Sequence, residues 1–121
     1  MVVVPCSVRT LSAIAVGAGD HLVHRAADVA LKESLPLVLV IRETPLSSIH
    51  LQNMLRLSRM GVTIMPPLPA FYNHPASIDE MVDHISGRIT DQLGVELSVV
   101  NRWDGHLARR RVRASAPDSE E

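Results

Sequence analysis

The most informative run of the sequence is Leu37-Val38-Leu39-Val40-Ile41, which Arg42-Glu43-Thr44-Pro45 follows directly. A short apolar run without polar alternation is typical of a strand that is buried on both faces of a parallel sheet. In an open α/β sheet, ligands bind beyond the carboxyl ends of the strands. The stretch therefore predicts a central strand whose exit presents Arg42 and Glu43 at the ligand-binding edge.

The chain before this strand predicts one more strand and two helices. Val2 to Val4 is a β-branched run, and we expect a buried strand that Pro5 ends. Ser7 or Thr10 can cap the helix that follows. Asp20 can cap a second helix, whose apolar residues recur at helical spacing until Pro36, just before the central strand.

The chain after the central strand repeats the pattern. Ser47 or Ser48 begins a third helix, and Val62 to Met65 forms a third strand. Ser77 with Glu80 three residues on is the signature of a capping box that opens a fourth helix. Strands that alternate with helices pair in parallel through right-handed crossovers. The pattern therefore predicts an α/β fold with a parallel sheet.

Composition narrows the class of protein. The chain has 121 residues, 46% of them hydrophobic, and a net charge of −1, which fits one globular domain. The near-neutral balance argues against a nucleic-acid-binding surface. The apolar opening is far too short to span a membrane. A single cysteine, Cys6, excludes an internal disulfide and fits the reducing cytoplasm. We expect a soluble, cytoplasmic protein.

The six histidines do not form a pattern that predicts a metal site. His21 and His24 are three apart and can share a helical face, but neither a third nearby ligand nor an accompanying acidic motif follows them. We therefore predict no metal.

Five motifs occur in one order along the chain, and together they resemble the C-terminal part of the UbiX-type flavin prenyltransferases of the flavoprotein superfamily. The resemblance runs from about Val2 to Trp103. The motifs are Pro5-Cys6-Ser7-Val8-Arg9-Thr10-Leu11, Arg25-Ala26-Ala27-Asp28-Val29-Ala30-Leu31-Lys32-Glu33, Arg42-Glu43-Thr44-Pro45, Ile49-His50-Leu51-Gln52-Asn53-Met54-Leu55 and Pro69-Ala70-Phe71-Tyr72.

The resemblance implies a Rossmann-like (flavodoxin-like) three-layer fold that is truncated at its N-terminus. Family members begin with a strand and a Gly-Ala-Ser-Gly turn that helps to bind FMN, and this chain starts downstream of that unit. We expect residues 1–103 to form a partial flavoprotein domain and residues 104–121 to form a basic, then acidic tail without fixed structure. The sheet edge that would pair with the missing strands should expose backbone donors and apolar side chains.

The resemblance also implies an activity. The family transfers a dimethylallyl group from dimethylallyl monophosphate to reduced FMN, and the prenylated FMN serves UbiD-type decarboxylases. Relatives form large homo-oligomers with flavin sites at subunit contacts, so self-association is expected here. No metal takes part.

The family pattern assigns site residues to this chain. By resemblance, flavin contacts fall on Ser7, Val8, Arg9, Thr10 and Arg42, and proton transfer falls on Glu43. Binding of the prenyl phosphate falls on Lys32, Arg42, Tyr72 and Arg88, with Arg25 as a further cation. Glu43, Lys32 and Arg42 are the expected catalytic residues.

The residues themselves leave simpler interpretations open. Ser7 to Thr10 can be an ordinary helix cap, and Arg42 with Glu43 can be a surface ion pair. On the second helix, Asp28 can neutralise both Arg25 and Lys32, which lie three and four residues away.

Two other functions compete with prenyl transfer. The chain can be a non-catalytic, flavin-binding accessory subunit of an aromatic or phenolic acid decarboxylase system, which would bind flavin without transferring a prenyl group. It can also be a flavin-dependent decarboxylase of the cysteine-decarboxylase superfamily. The loop that contains Cys6 and the run that begins at Arg42 look more like a prenyltransferase.

Overall fold

The computed structural model describes residues 1–95, and both Trp103 and the predicted tail at 104–121 lie outside the described residues. The elements, in chain order, are β1 Val2–Cys6, α1 Val8–Val16, α2 Leu22–Lys32, β2 Val38–Ile41, α3 Ser48–Arg59, β3 Thr63–Ile64, a 3-10 turn Phe71–Asn73 and α4 Ile78–Gln92.

The three strands form one parallel sheet in the order β1-β2-β3. Val38 pairs with Val2 on one side and with Thr63 on the other. All four residues of β2 are buried, as expected of a central strand covered on both faces. The predicted parallel α/β fold is confirmed.

Alternate side chains of β2 enter two separate cores. Leu37, Leu39 and Ile41 pack with buried residues of α1, α2 and α3. Val38 and Val40 face the other way and pack with Ile89 and partly buried residues of α4. Successive residues of a strand point to opposite faces, so the sheet lies between two helical layers. The three-layer architecture is confirmed.

The prediction that Pro5 ends β1 is wrong. Val3 pairs with Leu39 and Cys6 with Ile41, so three steps along β1 match two steps along β2. The extra residue is a β-bulge, a local irregularity that leaves a residue out of the ladder. Proline has no backbone N–H, and a bulge on an edge strand is a position where sheets accept it.

The outer edge of β1 is open within residues 1–95, because β1 pairs only with β2 there. Val4 of β1 is 55% exposed, although it lies in an apolar strand. Within residues 1–95 this edge therefore has no second strand partner and exposes the apolar side chain of Val4, in line with the expectation. An open edge of this kind can pair with a strand of another chain.

Helix boundaries follow local capping chemistry in most places. Ser7 caps α1, and Gly17 ends it with a φ of 71°, a left-handed conformation that glycine adopts without strain. Asp20, however, does not cap α2. The N-cap residue is His21, and it makes no side-chain hydrogen bond to the helix. Strand β3 is also shorter than predicted, because only Thr63 and Ile64 pair with β2.

We expect Ser47→Ala to lower the free energy of unfolding by about 1 kcal/mol. The Ser47 hydroxyl accepts a hydrogen bond from the His50 N–H (3.3 Å), and His50 Nδ1 accepts one from the Ser47 N–H (3.2 Å). Ser48 already lies inside the helix, so Ser48→Ala is the matched control and should change little. Urea denaturation of both variants measures the difference, and equal losses would contradict the assignment.

Candidate functional site

The carboxyl ends of β1 and β2 lie side by side. Arg42 is the first residue after β2, and its N–H donates a hydrogen bond to the Cys6 carbonyl at the end of β1 (3.0 Å). Ser7 follows Cys6 directly, so the α1 N-terminus and Arg42 are neighbours at this edge of the sheet. Two of the sequence-predicted site segments are therefore brought together.

The Ser7 loop forms a helix N-terminus at that edge. The Ser7 hydroxyl accepts a hydrogen bond from the Thr10 N–H (3.1 Å) and lies 3.2 Å from the Thr10 hydroxyl, to which it donates. The interpretation of Ser7 as a helix cap is thus confirmed. The first N–H groups of a helix have no acceptor within it, and they attract anions. At this edge those groups belong to Val8 and Arg9, and the Arg9 side chain is exposed.

The predicted alternative of an Arg42–Glu43 surface ion pair is wrong. The Glu43 carboxylate instead accepts a hydrogen bond from the Thr44 N–H (3.3 Å). Among residues 1–95 the exposed Arg42 guanidinium has no ion-pair or hydrogen-bond partner, although its backbone is held by Cys6. An exposed guanidinium on an anchored backbone can take up a phosphate in bidentate geometry.

Cys6 lies directly behind this edge but does not open onto it. Its side chain is fully buried. Burial raises the pKa of the Cys6 thiol to about 11, and a smaller opposing effect comes from a backbone hydrogen bond with Leu11. A buried thiol with a raised pKa is a poor nucleophile, so the packing interpretation of Cys6 holds.

Native Cys6 should therefore react very slowly with an aromatic disulfide reagent at pH 8. With a pKa of about 11, only about one thiol in a thousand is ionised at that pH. Unfolding in urea should expose the thiol and restore its ordinary pKa, so labelling should then be fast. Because Cys6 is the only cysteine, the absorbance change reports it alone. Fast labelling of the native chain would contradict its burial.

Arg25 and Lys32 do not share a salt bridge with Asp28, so that prediction is wrong. Lys32 Nζ lies 3.6 Å from Glu33 Oε1, and both side chains are exposed. Arg25 folds back toward the loop that precedes α2, where a Cβ placed on Gly19 would lie 3.1 Å from Arg25 Cδ. Both cations remain on the surface of α2.

Lys32 lies toward the amino end of β2, whereas Arg42 follows the carboxyl end of that strand. A cavity of about 360 Å³ opens at the amino ends of β2 and β3, and the end of α2 and Gln92 of α4 line part of it. Lys32 is the last residue of α2, and Arg88 is one helical turn before Gln92. Strand β2, which rises roughly 3.3 Å per residue, separates this end from Arg42. A single chain thus does not bring Lys32 and Arg42 together.

Tyr72 lies in the 3-10 turn between β3 and α4. Its side chain is 67% exposed, as is that of the neighbouring Phe71. Neither aromatic is part of the cores described above. The alternative of core packing is therefore wrong for Phe71, and the Tyr72 hydroxyl is accessible to a ligand.

Asn53, to which the sequence pattern assigns no role, links α3 to α1 through a side-chain hydrogen bond. Its Nδ2 donates a hydrogen bond to the Ser12 hydroxyl (3.1 Å) in a partly buried position. The contact fixes the helix whose N-terminus forms the site edge. Asn53 lies four residues before the buried Leu57 and so shares its helical face. Asn53 is thus a polar residue on the buried face of α3, and this position is the sequence feature that could have predicted its structural role.

No group of three or more His, Cys, Asp or Glu side chains in residues 1–95 is arranged to hold a metal ion. His21 and His24 instead pack edge to face, with ring centroids 5.1 Å apart. His24 is buried, and its Nδ1 has no hydrogen-bond partner in the described chain. Across the same residues, every helix is too short or too polar to cross a membrane.

Curated relatives share this sequence closely. A probable UbiX-like flavin prenyltransferase of Escherichia coli O157:H7 is 58% identical over 105 residues, which cover 87% of this chain and 53% of the relative. The flavin prenyltransferase UbiX of Halalkalibacterium halodurans is 53% identical over 103 residues, covering 85% of this chain and 50% of the relative. The chain thus spans about half the length of these relatives.

Solved structures show the same architecture. The dodecameric FMN-dependent UbiX-like decarboxylase of Escherichia coli O157:H7 matches with a TM-score of 0.83 and 58% identity, over 87% of this chain and 57% of that one. AnUbiX (PadA1), solved with FMN and dimethylallyl pyrophosphate, matches with a TM-score of 0.85 and 50% identity, over 88% of this chain and 57% of that one. The family model described as Flavoprotein matches residues 1–90. The chain therefore belongs to the flavoprotein family, and the relatives that it matches are UbiX-type flavin prenyltransferases.

Proposed function

We propose that this chain carries part of a flavin prenyltransferase site, which joins a dimethylallyl group from dimethylallyl monophosphate to reduced FMN. One observation carries the proposal. The hydrogen bond from the Arg42 N–H to the Cys6 carbonyl places Arg42 beside the N-terminus of α1, at the ligand-binding edge of a parallel sheet, and its guanidinium has no partner among residues 1–95. Relatives with flavin prenyltransferase names share 53–58% of the aligned residues.

The residues at this edge fit an anionic flavin nucleotide. The N–H groups of Val8 and Arg9 open a helix, and the Arg9 and Arg42 side chains add two positive charges. Glu43 is exposed beside them and is the acidic group available for moving a proton. When bound, the flavin supplies the N5 and C6 atoms to which the prenyl group is joined.

The prenyl substrate needs cations for its phosphate and shelter for its carbon chain. The allylic carbon–oxygen bond breaks, phosphate leaves, and the flavin takes the prenyl carbon. We assign phosphate binding to Lys32, Arg42, Tyr72 and Arg88, with Arg25 as a further cation. Fixed positive charge at the departing phosphate stabilises the charge that develops there. Exclusion of water protects the allylic carbon from hydrolysis.

The distribution of these groups implies that copies of the chain share a site. Lys32 ends α2 near the amino end of β2, and Arg42 follows the carboxyl end of β2. A second copy can bring its Lys32 against the Arg42 of its neighbour. Exposed Leu22 and Val29 on α2 offer apolar surface for the contact. The Escherichia coli structural relative is a dodecamer, which supports homo-oligomeric assembly.

A second candidate function is that of a flavin-binding accessory subunit without prenyl transfer. The observation that favours it is that the α1 N-terminus and Arg42, which suit the binding of FMN, adjoin one another within a single chain. Under either function, we infer a cytoplasmic protein that supplies a UbiD-type decarboxylase of an aromatic or phenolic acid system. The prenyltransferase proposal predicts delivery of modified flavin, and the accessory proposal predicts delivery of FMN alone.

Anaerobic incubation of the purified chain with reduced FMN and dimethylallyl monophosphate, followed by mass spectrometry of the extracted flavin, separates the candidates. A flavin heavier by one prenyl unit would establish prenyl transfer. Retention of unmodified FMN through gel filtration would support the accessory function. A chain that neither binds nor modifies FMN, even at concentrations where it self-associates, would contradict both.

A further inference from the structure

We infer that Glu80, at the start of α4, is a positioning residue that sets the place of Tyr72. The inference rests on the proposed function, in which Tyr72 donates a hydrogen bond to the prenyl phosphate. It differs from the role that the sequence pattern predicts for Glu80, which is to complete a capping box with Ser77.

The hydrogen bonds of Glu80 show the difference. Its backbone N–H donates to the Ser77 hydroxyl (3.2 Å), as a capping box requires. Its carboxylate does not return to the Ser77 N–H, and instead accepts a 2.7 Å hydrogen bond from the Ala76 N–H. A short bond to an ionised acceptor is among the stronger hydrogen bonds in proteins. Glu80 therefore holds the chain one residue before the helix cap.

Only a short connection separates that anchor from Tyr72. The 3-10 turn is closed by the Asn73 N–H, which donates to the Ala70 carbonyl (3.1 Å), and by the His74 N–H, which donates to Phe71 (3.0 Å). His74 then takes a left-handed conformation with a φ of 49°, and Pro75 links it to Ala76. Proline and a left-handed residue leave the connection few alternative conformations. The position of Ala76 thus determines where the turn presents Tyr72.

Tyr72 depends on this anchor because little else within residues 1–95 holds it. Its side chain is 67% exposed and lies outside both hydrophobic cores. If the carboxylate at Glu80 is removed, Ala76 loses its acceptor and the turn gains freedom. Tyr72 then occupies its binding position for a smaller fraction of the time, which weakens apparent substrate affinity in proportion.

The matched control is Asp79, the other acidic residue in the first turn of α4. It carries the same charge near the same helix N-terminus, and its carboxylate makes no hydrogen bond or ion pair within residues 1–95. Asp79→Ala therefore removes the same interaction with the helix dipole without freeing Ala76. Glu80→Gln keeps an oxygen acceptor at the same place and should retain much of the positioning.

The test labels the full chain with 3-fluorotyrosine. Tyr72 is the only tyrosine, so one fluorine NMR resonance reports its turn without any activity assay. We expect Glu80→Ala to shift and narrow this resonance, while Asp79→Ala leaves it unchanged and Glu80→Gln gives an intermediate result. In the prenyl-transfer assay, Glu80→Ala should raise KM for dimethylallyl monophosphate about fivefold with kcat nearly constant. FMN binding should not change.

The outcomes separate the two proposals. An unchanged resonance in a folded Glu80→Ala chain, judged by circular dichroism, would overturn the positioning role whatever the activity. If Glu80→Ala changes the resonance but the unsubstituted chain makes no prenylated flavin, the positioning role stands and the proposed function is contradicted. Equal KM increases for Glu80→Ala and Asp79→Ala would assign the effect to helix charge and would also overturn the inference.

Discussion

Arg42→Ala should lower the rate of prenyl transfer about 100-fold, which corresponds to about 2.7 kcal/mol of lost stabilisation. The Arg42 backbone is held by the Cys6 carbonyl, and its guanidinium has no partner within residues 1–95. The substitution therefore removes a charge that the fold does not use for its own stability. Its loss should weaken FMN binding as well as catalysis.

The control for Arg42 lies on α3. Arg56 is an exposed arginine in the last turn of that helix and has no part in the proposed site. Arg56→Ala should leave prenyl transfer within about twofold, whereas Arg42→Lys should recover only part of the activity because lysine lacks the two-pronged geometry. Single-turnover rates and FMN titrations of the three variants provide the measurement. Equal activity of Arg42→Ala and Arg56→Ala would remove Arg42 from the site.

Leu57→Ala should destabilise the chain by about 3 kcal/mol. Leu57 is fully buried in the core between α3 and the sheet, together with Leu39 and Val62. Alanine at this position leaves a cavity that a close-packed interior fills only in part. Since a domain of this size has a stability of roughly 5–15 kcal/mol, the loss is a large share of the total.

Leu55→Ala on the same helix is the matched control for the cavity. Leu55 is 51% exposed, so the same chemical change removes little buried surface. Alanine is also the better helix former, and the free energy of unfolding should stay within about 0.5 kcal/mol of the original. Chemical denaturation followed by far-UV circular dichroism gives both values. Similar losses for the two variants would mean that α3 does not pack on the sheet by the face described.

Regular patterns explain why much of the fold was predictable. The run from Leu37 to Ile41 is apolar throughout, and only a strand covered on both faces accommodates it. The Ser7 and Ser77 caps also follow from local chemistry, because a hydroxyl at a helix start satisfies a free N–H group nearby. Features set within four residues of one another could thus be predicted.

Features set by pairing and packing could not be predicted in the same way. A pattern of residues does not show that Val3 and Cys6 of β1 meet neighbours on β2 that are only two residues apart, so the sequence predicts a strand end at Pro5. Asp20 has the chemistry of a cap, but the helix begins one residue later. The family motifs also predict Lys32 and Arg42 in one site. In the structure, Lys32 lies near the amino end of β2 and Arg42 follows its carboxyl end.

The extra residue in β1 has a consequence for how the family's sequences can change length. Val3 and Cys6 are an odd number of positions apart, yet both side chains enter the same core. Without the bulge, an odd spacing would send them to opposite faces. Deleting one residue here would make the spacing even, so a regular strand would still send Val3 and Cys6 into the same core and keep Cys6 paired with Ile41. Loss of one residue at the bulge should therefore be accepted by natural selection more readily than a change of length elsewhere in β1, which would shift the register with β2.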